Sequence, residues 1–226
     1  MEFFVDIADI ESVRSVAEYY PIDGFTTNPN ILTKGAHTLE ENMRSYKEYI
    51  DETGLKVFVQ VTAKDAEGMV SQAVKLKEYF GDNLVVKLPA VKEGYKALKE
   101  CKKLGIEICI TVIHSVLQAL MAAKGGADYA APYVSHIDNI GADGIREVEE
   151  MVKVFDRFGY KCKVLGASFR TADQIEKLAA VGCHAVTITP QFFDLLIEHP
   201  STDVSLNGFY RVWEDTYQDK QITDAL

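Results

Sequence analysis

The sequence predicts a (β/α)8 barrel, and three observations carry that prediction. Eight short apolar runs recur along the 226 residues. They are nearly continuous in apolar character rather than alternating, as parallel strands covered on both faces are. Between them lie longer stretches with apolar residues three and four apart, the period of an amphipathic helix. Eight strands and eight helices make the inventory of a closed parallel barrel. A doubly wound open sheet is the alternative. Against it, no Gly-x-Gly-x-x-Gly follows the first strand, no Gly-Lys-Ser/Thr loop is present, and the segment Gly141 to Gly144 is too degenerate to count.

Taken in order, the first apolar run, 3–6, ends at Asp6 and gives way to a helix at 10–20 with Asp9 as its cap. Strand 24–27 precedes helix 39–52, which starts after Thr38 and stops at Gly54. Strand 57–62 leads through Asp65 to helix 66–80, and strand 84–88 to helix 95–104, ended by Gly105. Strand 106–113 is followed by helix 116–124 with Ser115 at its start, and strand 128–133 by helix 145–158 between Asp143 and Gly159. Strand 163–168 precedes helix 172–181 between Thr171 and Gly182, and strand 185–189 precedes a last barrel helix at 192–197. The short polar caps accept the unpaired N–H groups of a first helical turn, and glycine takes the left-handed conformation past the last. Nothing marks a second domain, so residues 1–226 are expected to form one barrel domain with 201–226 as a C-terminal helical extension. In that extension Phe209, Trp213 and Tyr217 recur every four residues, which puts three rings on one helix face as packing residues.

Composition narrows the partners. Lys plus Arg number 24 against 34 Asp plus Glu, a net charge of -10. Such a surface disfavours nucleic acid and anionic bilayers, and an anionic substrate would need a locally basic pocket. No run of about 18 apolar residues provides a membrane span, and the start Met-Glu-Phe-Phe-Val-Asp does not read as a secretion signal. Four widely spaced cysteines suit reduced thiols and a cytoplasmic location. Five scattered histidines lack metal-ligand spacing, so neither a metal nor another cofactor is expected.

The carboxyl ends of barrel strands line the active-site mouth. Those positions hold Asp6, Thr26 with Thr27 and Asn28, Gln60, Lys87, Thr111, Tyr133, Ser168 and Thr187. Lys87 is the sharpest signal, an ammonium inside the apolar strand Leu-Val-Val-Lys-Leu-Pro. Burying an unpaired ammonium favours the neutral amine, a nucleophile for carbonyls. The competing reading is a lysine ion-paired with a neighbouring acid such as Asp6. Ser168 and Arg170 follow the seventh strand, where phosphate sites of barrels cluster, although a cap and a solvated arginine would look the same. His114 and His136 lie just beyond strand ends and either could face the pocket. The series Lys92, Lys96, Lys99, Lys102 and Lys103 reads as a solvated helix face interleaved with Glu93 and Glu100.

Five segments in this order resemble one family nearly end to end: Phe-Val-Asp-Ile-Ala-Asp at 4–9, Thr-Thr-Asn-Pro-Asn at 26–30, Val-Val-Lys-Leu-Pro at 85–89, Ala-Pro-Tyr-Val at 131–134 and Gly-Ala-Ser-Phe-Arg-Thr at 166–171. The chain resembles the small transaldolase and fructose-6-phosphate aldolase family of class I, Schiff-base enzymes. The resemblance implies that Lys87 forms the Schiff base with a ketose and that Asp6 handles the hydroxyl proton whose loss drives cleavage. It implies that Asn28 binds the dihydroxyacetone unit and that Gln60, Thr111 and Tyr133 hold a proton-shuttling water; Thr26 is a further candidate substrate-binding residue. The resemblance also implies a homo-oligomer, commonly a decamer built with the terminal helix. Family transaldolases carry Glu and Phe where this chain has Gln60 and Tyr133, which resembles the aldolase branch. The expected reaction is cleavage or formation of a fructose-6-phosphate-like ketose from dihydroxyacetone and an aldehyde such as glyceraldehyde 3-phosphate. The alternative is transaldolase transfer of the dihydroxyacetone unit, from a phosphorylated ketose or another anionic sugar such as a sulfosugar. His136 stands where the family usually has an arginine, and imidazole cannot make the bidentate fork of a guanidinium. Ser168, Arg170 and His136 remain the expected binders of an anionic end.

Overall fold

Eight parallel strands hydrogen-bond in chain order and close on themselves: β1 (Glu2–Asp6), β2 (Gly24–Thr26), β3 (Lys56–Gln60), β4 (Leu84–Pro89), β5 (Glu107–Ile113), β6 (Tyr129–Pro132), β7 (Lys163–Gly166) and β8 (Ala185–Ile188). The closing seam pairs Phe4 with Thr187 and Val5 with Ile188. This computed structural model describes residues 1–226. The predicted (β/α)8 barrel is the observed fold. All eight runs are strands, each within one or two residues of the expected bounds at either end.

The helices are α1 (Ile10–Tyr19), α2 (Pro29–Leu32), α3 (Leu39–Thr53), α4 (Ala66–Phe80), α5 (Lys92–Lys103), α6 (Val116–Lys124), α7 (Val134–Asn139), α8 (Gly144–Phe158), α9 (Ala172–Ala180), α10 (Gln191–Leu195) and α11 (Pro200–Tyr217). Each of the six expected N-caps accepts a backbone N–H of its first turn: Asp9, Thr38, Asp65, Ser115, Asp143 and Thr171. Thr38 and Thr171 form full capping boxes with Glu41 and Gln174. The short helices α2 and α7 were not predicted, because one turn or so is too little for a helical period to register. Both follow directly from strand ends, and both carry residues of the mouth.

Alternation along the strands sorts two cores. Phe4, Phe58, Val85, Cys109, Tyr129, Ala131, Leu165 and Ala185 form a cluster inside the barrel. Phe4, Phe58 and Tyr129 meet there edge to face, with centroids 4.8 to 6.2 Å apart. The outward-facing strand residues, among them Val5, Phe25, Val57, Val86 and Ile108, pack instead with the apolar helix faces. Gly24 shows how tightly β2 fits: its φ is +152°, and a Cβ would lie 2.0 Å from the Lys56 carbonyl oxygen. At the amino-terminal end of the barrel Lys163 pairs with Glu2 at 2.5 Å, Lys102 with Asp128 at 2.6 Å, and Lys56 with Glu107. Partly exposed pairs like these are worth about 0–1 kcal/mol each.

The chain divides into two compact units, Met1–Phe193 and Asp194–Leu226. In the second, Pro200 opens α11 and His199 caps it. Trp213 packs on Tyr217 with centroids 4.7 Å apart and donates its indole N–H to the Lys220 carbonyl at 2.8 Å. No helix of the protein is long and apolar enough to cross a membrane.

Candidate active site

The same alternation that fills the barrel interior builds the site above it. Two residues beyond each inward apolar side chain comes the next inward position. Phe4 is thus followed by Asp6, Phe58 by Gln60, Val85 by Lys87, Cys109 by Thr111, Ala131 by Tyr133 and Ala185 by Thr187. All six of these upper residues line one cavity of about 500 Å³ at the carboxyl mouth. The plug of aromatic rings therefore forms the floor, and a layer of polar groups stands directly on it. Asn28, His136 and Ser168 also border the cavity.

Lys87 is 4% exposed. Its Nζ donates to the Thr27 carbonyl oxygen at 2.9 Å, and no direct ion pair joins it to Asp6. Gln60 and Cys109 flank it in register on the neighbouring strands. Asp6 keeps a partly open face toward the cavity, yet protein closes around it. Desolvation raises its carboxyl above the ordinary 3.8, against the opposing charge of Lys87 and a hydrogen bond from Thr26. That hydrogen bond runs from the Thr26 hydroxyl to Asp6 Oδ1 at 2.7 Å. Because it uses the one Thr26 proton, Thr187, 2.6 Å away, must be the donor to Thr26. A two-hydroxyl relay, Thr187 to Thr26 to Asp6, therefore orients the carboxylate.

On the opposite wall the Thr111 hydroxyl lies 3.4 Å from the Tyr133 hydroxyl. Tyr133, His136 and His114 form a cluster of three rings, with centroids 5.2 to 6.0 Å apart. Asn28 accepts the Ile31 N–H through Oδ1 at 3.0 Å, which leaves its Nδ2 donor uncommitted at the cavity. Ser168 holds a left-handed backbone, φ +63°, and its carbonyl accepts the Ser135 N–H at 2.9 Å.

Of the residues expected from sequence, Asp6, Asn28, Gln60, Lys87, Thr111, Tyr133, His136 and Ser168 converge on the cavity. Four do not reach it: Thr26, Thr27, His114 and Arg170. Thr26 is fully buried behind Asp6, so it orients the carboxylate rather than lining the cavity. Arg170 is exposed and outside the lining; its backbone N–H is bound by Gln174 at 2.8 Å. His114 touches the ring cluster without bordering the cavity. Sequence reading missed Ile31 and Val112, which supply apolar wall. Ile31 sits on the unpredicted α2, and Val112 occupies a position that strand alternation assigns to the outside.

The family model described as transaldolase/fructose-6-phosphate aldolase matches residues 3–225, and the chain belongs to that family. It is 36% identical over 214 residues to a protein of Listeria monocytogenes named "Probable transaldolase 2", covering 95% of this chain and 96% of the relative. It is 34% identical over 213 residues to a "Probable transaldolase" of Streptococcus equi subsp. zooepidemicus, covering 94% and 98%. A "Probable transaldolase" of Hydrogenobaculum sp. is 34% identical over 214 residues, covering 95% and 97%. The family and the relatives that this chain matches make it an enzyme of the aldolase or transaldolase type.

Proposed function

We propose that the protein is a Schiff-base aldolase that cleaves or forms a ketose from dihydroxyacetone and an aldehyde. The observation that carries this reading is the Lys87 amine, buried at the cavity floor and not in direct contact with any acid. In its neutral form Lys87 attacks the ketose carbonyl carbon; a proton delivered through a water held by Gln60, Thr111 and Tyr133 lets the carbinolamine hydroxyl depart as water, and a cationic iminium remains. Asp6 takes the proton of the hydroxyl next to the scissile bond. As that oxygen becomes the aldehyde carbonyl, the carbon–carbon bonding pair moves into the iminium, giving a neutral enamine. Thr26 and Thr187 hold Asp6 in place for this step, and the free Nδ2 of Asn28 binds a hydroxyl of the dihydroxyacetone unit. A water held by Gln60, Thr111 and Tyr133 returns a proton to the enamine carbon and then hydrolyses the iminium, releasing dihydroxyacetone.

The transaldolase reading is favoured by the names of the relatives. In it the enamine waits and attacks a second aldehyde. His136 and Ser168 bind the far end of the sugar, phosphorylated or otherwise anionic. Four buried, unpaired cysteines suit a reducing cytoplasm, and the apolar residues exposed on α11 suit assembly with further copies.

Borohydride added with a ketose is expected to fix an adduct on Lys87 by mass spectrometry, and Lys87→Met is expected to form none and to lose activity. An untrapped wild type with full activity would sink the proposal. Supplying the ketose without an acceptor separates the two reactions: free dihydroxyacetone marks the aldolase, its absence the transaldolase.

A further inference from the structure

Val112 is out of place for its strand. Ile108 and Ile110 pack outward with the helices, Cys109 points inward, and Thr111 borders the cavity. Alternation would turn Val112 outward as well, yet it borders the cavity. The cause is one extra residue in β5. Ile110 pairs with Ala130 and Ile113 with Pro132, so two residues of β5 stand opposite one of β6, which is a β-bulge. Within it Val112 has φ +62°, a left-handed backbone that a β-branched residue adopts only under strain. The bulge therefore places two consecutive residues of one strand, Thr111 and Val112, on the cavity wall.

The level of the bulge decides what it meets. Lys87 is paired with Cys109, so Val112 stands three residues nearer the mouth, up to about 10 Å along the strand at roughly 3.3 Å per residue. A ketose held by Lys87 through its carbonyl carbon must run the rest of its chain past this point. We propose that Val112 is a specificity-determining residue that limits the bulk of the aldehyde fragment, admitting short unbranched aldehydes and penalising branched ones. This rests on the Schiff-base reading of Lys87. Val112 touches none of the reacting atoms, so adduct formation itself does not depend on it.

The test uses acetaldehyde and 3-methylbutanal as acceptors, which differ in bulk but not in functional group, with dihydroxyacetone or a ketose as donor. Val112→Ala and Val112→Gly are expected to raise the 3-methylbutanal to acetaldehyde ratio of kcat/KM by about tenfold, the discrimination a methyl-sized change in an apolar wall gives. Val112→Leu is expected to lower that ratio. Borohydride trapping at Lys87 is expected to stay at the wild-type level in all three. Val112→Gly should melt no lower than wild type, because glycine takes this φ freely, so at least one enlarged variant folds. A ratio that stays within about twofold of wild type in the trapped, folded variants overturns the inference and leaves the Schiff base standing. A wild type that traps no adduct overturns both.

Discussion

Asp6 pulls stability and chemistry in opposite directions. Burial raises its carboxyl above 3.8, and neither Lys87 nor Thr26 fully offsets that. A raised native-state pKa means the folded protein holds this proton more tightly than the unfolded chain. Its stabilising contribution is complete below 3.8 and is lost as the pH rises through the native-state value. Asp6→Asn cannot titrate, so its melting temperature relative to wild type is expected to climb over the window that opens above 3.8, as followed by thermal melts across pH. The same ionisation is what the chemistry needs. The acid limb of the kcat/KM profile is expected to lie above 3.8, and Asp6→Asn to cost about a hundredfold or more. A variant that keeps full activity would remove Asp6 from the proton step. His136 poses a different question on the other wall, because imidazole offers no bidentate fork to an anion. His136→Arg is expected to lower KM for phosphorylated substrates, measured against their unphosphorylated counterparts; an unchanged or higher value would deny His136 an anion-binding role.

At the level of elements, the wall opposite Asp6 is held by a residue outside the cavity. Gln174, in the first turn of α9, accepts the backbone N–H groups of Arg170 and Thr171 at 2.8 and 3.3 Å. Its Nε2 donates to Asp138 at 2.7 Å and to Ser135 at 3.3 Å. One amide thus ties the loop bearing Ser168 to the helix bearing His136. Gln174→Ala is expected to cost about 1–3 kcal/mol in urea melts and to raise KM while Lys87 still traps substrate; lost stability with unchanged KM would reduce it to a structural tie. None of this was legible beforehand, since Gln174 reads as an ordinary capping-box partner and its link to Asp138 crosses from one helix to another. The strands, the long helices and six caps were legible because each is written in local period and local hydrogen bonding. Lys87 was legible for the same reason, as a charge in a run that alternation turns inward. Val112 was hidden because a bulge changes facing without changing composition. The burial of Thr26 and the outward placement of Arg170 were hidden because strand-end position says which rim a residue joins, not how deep it sits.

The whole molecule carries a net charge of -10 and an apolar terminal helix, and these make opposing demands on association. In α11 Val204, Phe209, Tyr210 and Val212 are each about two-thirds exposed or more, and no residue of the helix is buried. A helix apolar on more than one side is at rest only when other surfaces cover it. Like net charges on two copies repel at long range, and the exposed apolar residues of α11 offer a short-range attraction against that repulsion. Salt should therefore act opposite to its effect on an ion-paired interface: screening weakens the repulsion while apolar contact is retained or strengthened. In sedimentation velocity the wild type is expected to exceed the 25.2 kDa of one chain and to hold or gain mass as salt rises. Phe209→Glu with Val212→Glu is expected to shift it toward the single chain while leaving the Lys87 adduct intact, because every residue of the cavity lies within Met1–Phe193. A wild type that sediments as one chain, or an assembly that salt dissolves, would show that α11 does not join copies through its apolar residues.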